Sequence, residues 1–427
     1  MKSFTPLTKS FLLLCCICIS GNIWCQEPAV VITDTVSDKK EIKKSPFKTG
    51  FYPIGFFDVD LRYFVKYNNY EGFRLGIGGI TNERLFENFK IGGYIARGFK
   101  DQEYKYSLGG NIRLNPETNT WANLYYTKDI SEIGTFKYLT DARVYSVFEP
   151  RLINITQFYK YRSWKSSLQH EFSPKFLSEI KLSHSNVEQI EDYQFAIDNT
   201  AYDRYKLAEA TVSVRFSPKT NFFTTDDGRI EYFDGFPKIS AQVTQGFEGI
   251  AESDFSYTKL GLKFDYYIKR TNLSSTNFVL EGNLAFGDVP LTHLFHAYPN
   301  SPTKDEILQR FSVAGIRSFE TMYFGEFFSS RLATLQVKHS LRRFYISEKF
   351  KPELVLITKH AIGNMSYRER HVGIPFSTLN ELYSESGLEL NRILFGFGLS
   401  FAYRYGFYHL PDFEDNISFK FTFNLKL

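Results

Sequence analysis

Cysteine is scarce in this 427-residue chain and is confined to its first 25 positions. The four cysteines are Cys15, Cys16, Cys18 and Cys25. Residues beyond position 25 therefore cannot form a disulfide or a thiol-ligated metal site. The same region lacks any run of about 20 apolar residues, which a membrane-spanning helix needs, so a helical membrane protein is excluded for it.

An excess of charge of one sign is also missing. Lysine and arginine number 51 against 47 acidic residues, a formal net charge of +4, and the two signs are interspersed. Because nucleic-acid binding would need a clustered basic patch, no nucleic acid is expected as a partner. A local run of lysines from Lys39 to Lys48 lies within the polar stretch 26–50, which is interpreted as a solvated periplasmic lead-in.

The first 25 residues have the features of a secretory signal peptide. Lys2 and Lys9 form a basic start, and residues 11–20 form an apolar core that is too short to span a membrane. Cleavage is expected between Cys25 and Gln26. Lipid attachment at a cysteine is the alternative, but the residue before Cys25 is bulky, whereas lipoprotein processing prefers a small one.

Aromatic residues are abundant, at 18% of the chain with 44 Phe and 28 Tyr, although hydrophobic residues reach only 43%. A transmembrane β-barrel combines these properties because its strands alternate lipid-facing and lumen-facing side chains, and because aromatic residues gather at both membrane interfaces. From about position 68 onward, segments of roughly a dozen residues show this alternation and are separated by turn residues. The sequence therefore predicts an all-β fold.

The last segment shows the alternation most clearly. Its apolar face carries Phe419, Phe421, Phe423, Leu425 and Leu427, and the intervening positions are polar. An apolar strand of this kind resembles the signal by which bacterial barrel proteins are recognised for membrane insertion. In a soluble β-sandwich the large residues would face a second sheet. The recurrence of the pattern and the length of the segments favour a tilted crossing of a bilayer instead.

The segments number about sixteen, and an even number places both ends of a barrel in the periplasm. Residues 51–427 are accordingly predicted to form one transmembrane antiparallel β-barrel. The segments lie near 68–80, 88–99, 103–114, 119–129, 135–146, 157–172, 175–186, 203–217, 237–248, 255–269, 275–287, 328–341, 350–362, 381–392, 394–406 and 415–427.

Connector length predicts which end of each strand faces the periplasm, because periplasmic turns are short and extracellular loops are long. The turns assigned to the periplasm lie near 100–102, 174 and 391–393. The connectors assigned to the extracellular side are 187–202, 288–327, 363–380 and 407–414. The stretch 218–236 is long although this register places it in the periplasm.

Four stretches of the chain resemble one family. They are residues 71–82, 98–109, 319–331 and 403–411. These stretches are similar to the barrel of a Bacteroidota outer-membrane family of unknown function, whose longer members begin with a carboxypeptidase-regulatory-like domain. The resemblance spans nearly the whole chain after the signal peptide and implies an outer-membrane barrel. The chain departs from the longer members because few residues precede its first predicted strand.

A more distant resemblance is to the sixteen-stranded barrels of the bacterial surface antigen type, in the outer-membrane assembly and translocation superfamily. There, a long loop that folds into the lumen carries a Val-Arg-Gly-Phe-like motif. The matching residues here are Ile316, Arg317, Ser318 and Phe319. Ser318 stands in the glycine position. The resemblance implies that Arg317 meets an inward acid, with Glu385 and Glu389 as candidates, because burying an unpaired guanidinium is too costly.

Residue types that support catalysis or metal binding are present, but their spacing in the sequence does not group them into a catalytic or metal site. His293 and His296 lie near Asp288, but no third metal ligand is fixed by the sequence. Histidines and acids lie near the expected extracellular rim, but their spacing does not identify a catalytic set of nucleophile, general base and orienting acid. These rim residues are His360, His371, His409, Asp412 and Asp415. No enzymatic activity, cofactor or metal is therefore expected.

Charged residues on the polar faces of the strands are expected to form ion pairs that line the lumen. They are Lys263, Asp265, Lys269, Lys338 and Arg404.

The expected location is the cell outer membrane, with outer-membrane lipid around the protein and the barrel assembly machinery as its partner during biogenesis. The expected role is in envelope biogenesis, translocation or an outer-membrane complex with other envelope proteins. The family resemblance supports this role by analogy alone, because fold does not imply function. A porin-like diffusion channel and a rim enzyme of the protease or phospholipase type are the alternatives.

Overall fold

The computed structural model describes residues 50–139, 150–224, 230–233, 235–302, 311–347, 350–394 and 397–423. Strands dominate these residues, and the helical segments among them are short 3₁₀ turns. None of the helices in the described part of the chain has the length and apolar character of a transmembrane helix. The prediction of an all-β fold is confirmed.

The strands follow one another along the whole described chain. The first are β1 (Phe51–Ile54), β2 (Phe57–Asp60), β3 (Val65–Asn68), β4 (Gly72–Thr81), β5 (Phe89–Gly98), β6 (Tyr104–Asn115), β7 (Thr120–Glu132), β8 (Phe158–Ser173), β9 (Phe176–Gln189), β10 (Gln194–Ile197), β11 (Thr200–Tyr202), β12 (Arg204–Phe216) and β13 (Asn221–Thr224). They continue with β14 (Ile230–Phe233), β15 (Lys238–Gly246), β16 (Tyr257–Lys269), β17 (Ser275–Gly287), β18 (Pro299–Ser301), β19 (Phe311–Val313), β20 (Phe319–Tyr323), β21 (Arg331–Ser340), β22 (Glu353–Asn364), β23 (His371–Val372), β24 (Tyr383–Leu394), β25 (Phe397–Gly406) and β26 (Ile417–Phe423).

Nineteen of the described strands form one large sheet. Its long strands pair antiparallel with their neighbours in chain order, and the connectors between them carry the small sheets β10–β11–β23, β13–β14 and β18–β20. At the beginning of the sheet, β2 and β3 both pair with β4, and β1 pairs with β2. At the end, β26 pairs antiparallel with β25 and parallel with the short strand β19.

The two faces of the large sheet differ in polarity because side chains alternate along each strand. One face, called the exposed face, carries large apolar side chains that no other part of the described chain covers. Examples are Leu108, Leu124, Leu182, Leu262, Leu280, Leu356, Leu399 and Phe419. The opposite face, called the covered face, carries polar and charged side chains, and several connectors pack on it.

The apolar core lies on the covered face. The connectors at 133–139 and 288–330 supply much of it, with Ile133, Phe136, Tyr138, Leu291, Leu294, Phe295, Phe319, Met322 and Phe328. The strands contribute the rings of Tyr205, Tyr257 and Tyr383. The core is therefore built from connectors, from tyrosines of the strands and from a few of their aliphatic side chains such as Leu207 and Leu332, while most other leucines of the strands lie on the exposed face.

The predicted segment 135–146 is not a strand where the structure describes it. Residues 135–139 belong to a connector, and residues 140–146 lie outside the described residues. The apolar residues Phe136 and Tyr138 alternate as they would in a strand, but both are buried in the core. The Tyr138 hydroxyl donates to Asn283 Oδ1 at 2.7 Å. The alternation here reflects core packing, which produced the wrong prediction.

The sheet contains four short strands that the sequence did not predict, so its strand number differs from the sixteen or so expected. These are β1, β2, β3 and β19, which have three or four residues each and are too short to show an alternation. Apart from 135–146, all the predicted segments overlap strands of the sheet. The unexplained stretch 218–236 contains the β13–β14 hairpin.

Because the predicted segment 135–146 is not a strand, the connectors before it lie at the opposite end of the sheet from the one predicted. Because antiparallel strands alternate in direction, the turn at 99–103 lies at the same end of the sheet as the connectors 190–203 and 288–330. The turn at 82–88 lies at the other end, with the turn at 174–175. The prediction that the turn at 100–102 lies on the short-turn side was therefore wrong.

Replacing Phe295 with alanine is expected to destabilise the protein by about 3–5 kcal/mol, because truncating a buried aromatic side chain leaves a cavity. Phe295 is 1% exposed and its ring centroid lies 5.4 Å from that of Phe136. Phe407→Ala is the matched control, since Phe407 is 72% exposed. The measurement is the urea midpoint by circular dichroism, and equal midpoints for the two variants would contradict the assigned core.

Candidate functional site

The connector between β17 and β21, residues 288–330, is called the inward segment because it packs on the covered face. Leu291, Phe295 and Phe319 are 0–1% exposed. The Phe319 ring lies 5.7 Å from the ring of Tyr383 on β24, measured between centroids. Apolar side chains therefore anchor the described parts of the inward segment to the strands beneath it.

The motif from Ile316 to Phe319 lies just before and at the start of β20. Ile316 is 65% exposed, whereas Phe319 is fully buried. The Ser318 hydroxyl donates to the Glu320 carboxylate at 2.7 Å. A Cβ at Gly315 would lie 2.0 Å from Ser318 Oγ, so a larger residue at position 315 would displace the hydroxyl that donates to Glu320. The motif thus sets the path of the chain into β20.

Arg317 meets an acid, but the acid differs from the two predicted ones. Arg317 Nη2 lies 3.6 Å from Asp265 Oδ2 of β16, and the arginine side chain remains 31% exposed. The Arg317 carbonyl accepts a hydrogen bond from Gln336 Nε2 at 2.9 Å. Glu385 and Glu389 pair with lysines instead. The prediction is corrected because the connector directs Arg317 towards β16 and not towards β24.

Glu320, just after the motif, belongs to a group of four buried charges that we call the buried ion network. The other members are Lys359 of β22, Glu385 of β24 and Lys420 of β26. Lys420 Nζ lies 3.0 Å from Glu320 Oε2, and Lys359 Nζ lies 3.1 Å from Glu385 Oε1. All four side chains are 1–3% exposed. Two acids and two bases balance, which is what makes their burial tolerable.

The buried ion network also holds the backbone of the inward segment. The amides of Glu320 and Thr321 donate to the two Glu385 carboxylate oxygens at 2.9 and 3.0 Å. Lys420 Nζ donates to the carbonyl oxygens of Asn300 and Glu320. Burial raises the pKa of Glu320, but Lys420 and Lys359 outweigh it and hold this pKa below its ordinary value. The network therefore fixes an ionised carboxylate and the chain around it.

Other ion pairs lie on the covered face, as expected for three of the polar-face residues. Their atom-to-atom distances are 2.8 Å for Arg404–Glu326, 3.0 Å for Lys338–Glu389 and 3.0 Å for Lys263–Glu281. These contacts confirm the expected pairing of Lys263, Lys338 and Arg404. Lys269, at the end of β16, is exposed.

The inward segment also reaches the last edge of the large sheet. β19 pairs with β26 over three residue pairs, from Phe311 with Phe419 to Val313 with Phe421. The amide of the following residue, Ala314, donates to the Phe421 carbonyl at 2.8 Å. This part of the β26 edge is therefore occupied by the chain's own inward segment.

The predicted insertion signal lies on β26 and beyond it. Phe419 and Phe421 point to the exposed face and are 54% and 45% exposed. Phe423 ends β26, and Leu425 and Leu427 lie outside the described residues.

The residues considered for metal binding are dispersed. His293 Nδ1 is hydrogen-bonded to Thr292, His296 Nε2 lies 3.0 Å from Glu132, and Asp288 pairs with Arg370 at 2.6 Å. In the described ranges, no three or more His, Cys, Asp or Glu side chains form a group that could hold a metal ion. Burial and Lys259 lower the pKa of His293 to about 4.

The rim residues occupy separate places. His371 Nδ1 lies 2.9 Å from the Tyr193 hydroxyl, and burial together with Arg370 lowers its pKa to about 4. His360 Nδ1 lies 2.9 Å from Ser384 Oγ across β22 and β24. The others, His409, Asp412 and Asp415, lie in the connector between β25 and β26.

Sequence reasoning missed Glu320, Lys359 and Lys420. Part of the signal was available, because Lys420 lies between Phe419 and Phe421 on the polar face of the last segment. The alternation places Lys420 on the covered face, but it does not identify an acid from a distant connector as the partner.

The sequence matches the family described as "Family of unknown function (DUF5686) C-terminal domain" over residues 56–286, more than half of the chain. The fold is similar to the crystal structure of BamA from Haemophilus ducreyi lacking POTRA domains 1–3, with a TM-score of 0.53 and 13% identity, covering 84% of this chain and 68% of that one. CdiB from Acinetobacter baumannii gives a TM-score of 0.40 and 11% identity, covering 83% of this chain and 57% of that one. No curated protein sequence matches the chain.

Replacing Lys359 with methionine is expected to destabilise the protein by about 3–5 kcal/mol, because the Glu320 and Glu385 carboxylates lose a buried counter-charge. The double variant Lys359→Met/Glu385→Gln is expected to recover part of this loss, since one unpaired charge is removed as well. Urea midpoints of both variants and of Lys351→Met, an exposed lysine, test this. Equal midpoints for Lys359→Met and Lys351→Met would contradict the network.

Proposed function

The chain belongs to the family of unknown function DUF5686, and we propose that it is an integral outer-membrane β-barrel that acts in envelope biogenesis or translocation without enzymatic chemistry. The observation that carries the proposed role is the short pairing of the last strand, β26, with the chain's own β19. The membrane location is supported by the exposed face, and the barrel by the likeness in fold to the BamA structure.

The exposed face has the chemistry of a surface that meets lipid. Leu262 is 55% exposed, Leu280 49% and Leu399 50%, and each lies on a different long strand of the sheet. A contiguous apolar surface of this extent is unstable in water and stable against hydrocarbon. The long strands of the large sheet, such as β8 with its 16 residues, suit a tilted crossing of a bilayer.

The covered face then becomes the interior of the barrel, and the inward segment fills part of it. Its buried rings and the buried ion network occupy the space that a porin-like channel would leave to water. This packing favours a role other than passive diffusion.

The edge of β26 is held less firmly than the other ladders. β19 contributes three residue pairs, whereas β25 contributes seven on the opposite side of β26. A strand edge with few backbone hydrogen bonds to break is suited to accept a strand from another chain, because added strands bind mainly through main-chain hydrogen bonds. We infer that β19 leaves this edge during the assembly or translocation of client proteins.

Heat-modifiable migration tests the membrane barrel. Unboiled protein in detergent gels is expected to migrate faster than boiled protein, because a closed sheet resists the detergent until it is heated. The same sample boiled before loading is the control. Identical migration of the two would contradict a barrel, whatever the role of β26.

A disulfide between β19 and β26 tests the proposed role. The register places Val313 beside Phe421, and all four native cysteines lie in the first 25 residues, so an engineered pair meets no competing thiol after signal-peptide cleavage. In cells that lack the native protein, Val313→Cys/Phe421→Cys is expected to restore the envelope barrier only when reductant is present.

The matched control is Phe401→Cys/Phe419→Cys, which joins β26 to β25 in an ordinary ladder and leaves the other edge free. This variant is expected to restore the barrier with or without reductant. Full activity of the oxidised Val313→Cys/Phe421→Cys protein, with its disulfide verified, would show that β19 need not leave.

A further inference from the structure

A row of polar and basic side chains lies on the exposed face near the ends of β7, β8, β9 and β12. The registers place Lys128 opposite Arg162, Arg162 opposite Asn186, and Asn186 opposite Lys206. Because side chains alternate, Lys128 lies on the same face as the exposed Leu124. The row therefore shares a surface with the apolar side chains.

Aromatic side chains lie on the same face, two residues further along the strands from Lys128 and Arg162. Tyr126 is opposite Trp164, with 5.0 Å between ring centroids, and the Tyr106 ring lies 6.1 Å from the Tyr126 ring. The next step is apolar, with Leu124 52% and Leu182 57% exposed. Along the strands, the side chains change from apolar to aromatic to basic. This matches the change across a bilayer from its hydrocarbon through the interface to the headgroups.

Lys128 and Arg162 face each other as two like charges. The neighbouring cations already have acidic partners. These pairs are Lys160–Glu103 at 2.6 Å, Arg204–Glu188 at 3.1 Å, and Lys206–Glu252. Within the described residues, neither Lys128 nor Arg162 has an acid within ion-pair distance. Like charges directly opposite each other destabilise a sheet, so an anion between these two would stabilise it.

A cavity of about 610 Å³ has Lys128, Arg162 and Asn186 in its lining, together with five acids that already have partners. Glu103, Asp129, Glu188 and Glu252 pair with Lys160, Arg74, Arg204 and Lys206, and Asp254 accepts a hydrogen bond from the Lys206 amide. An arginine fork and a lysine ammonium suit the oxygens of a phosphate group, and an asparagine amide can donate a further hydrogen bond. The cavity lies at the end of the sheet that carries the connectors 133–157 and 190–203. A headgroup can thus bind there while its acyl chains lie along the leucines.

We propose that Lys128, Arg162 and Asn186 bind the phosphate of an anionic lipid. The lipid belongs to the leaflet at the end of the sheet that carries the connectors 133–157 and 190–203. This inference rests on the proposed membrane location, because a protein in water would present these residues to free ions. It assigns to the exposed face a specific lipid site beside its general contact with hydrocarbon.

The experiment uses the full protein in detergent, titrated with dioleoyl phosphatidate and followed by native mass spectrometry. Lys128→Gln/Arg162→Gln is expected to weaken phosphatidate binding by about tenfold or more, since each basic residue near a membrane surface contributes appreciably to anionic-lipid binding. Lys165→Gln/Lys181→Gln is the matched control, because it removes the same charge from the covered face between β8 and β9. Dioleoylglycerol, which lacks phosphate, is the lipid control.

Equal phosphatidate binding by the wild type and Lys128→Gln/Arg162→Gln would overturn the proposal, as would equal losses in both double variants. Binding of inorganic phosphate without phosphatidate would assign the residues to a free ion and overturn it too. Heat-modifiable migration is recorded for every variant. A shift that persists while lipid binding is unchanged rejects this site alone, whereas absence of the shift in the wild type rejects the membrane barrel itself.

Discussion

The neutrality of the buried ion network is the constraint on which the rest of the covered face depends. Lys359 and Lys420 project from β22 and β26, and Glu320 comes from the inward segment between them. None of these charges could be buried alone, because the desolvation of a single ion exceeds what apolar packing returns. The inward segment must therefore occupy this position for the sheet to bury its own lysines, and the paths of the motif and β19 follow from it.

The alternation of side chains made the large sheet predictable. A strand with one apolar and one polar face has a period of two, and stretches such as 395–405 repeat it long enough to be distinguished from a core segment. The faces were also predictable, since Phe419 and Lys420 must point in opposite directions. Short strands such as β2 escaped prediction because four residues do not establish a period.

Contacts between distant connectors and strands could not be predicted in the same way. The family resemblance implied that Arg317 meets an acid, but several strands carry acids on the covered face, and only the path of the inward segment selects Asp265. Phe136 and Tyr138 show the opposite error, since a local pattern that suits a strand also suits a connector with two buried rings. Local periodicity determines which face a residue prefers, whereas the partner on that face depends on the three-dimensional path of the chain.

The pairing of β19 with β26 has a consequence for solubility and quality control. An unpaired strand edge is a template on which identical chains polymerise, and proteins commonly cover such edges. Here the cover comes from the same chain, across a connector that folds back on the sheet, so each molecule protects its own terminal edge. A chain that has not yet placed its inward segment leaves this edge bare, and the self-association that follows would mark it as immature.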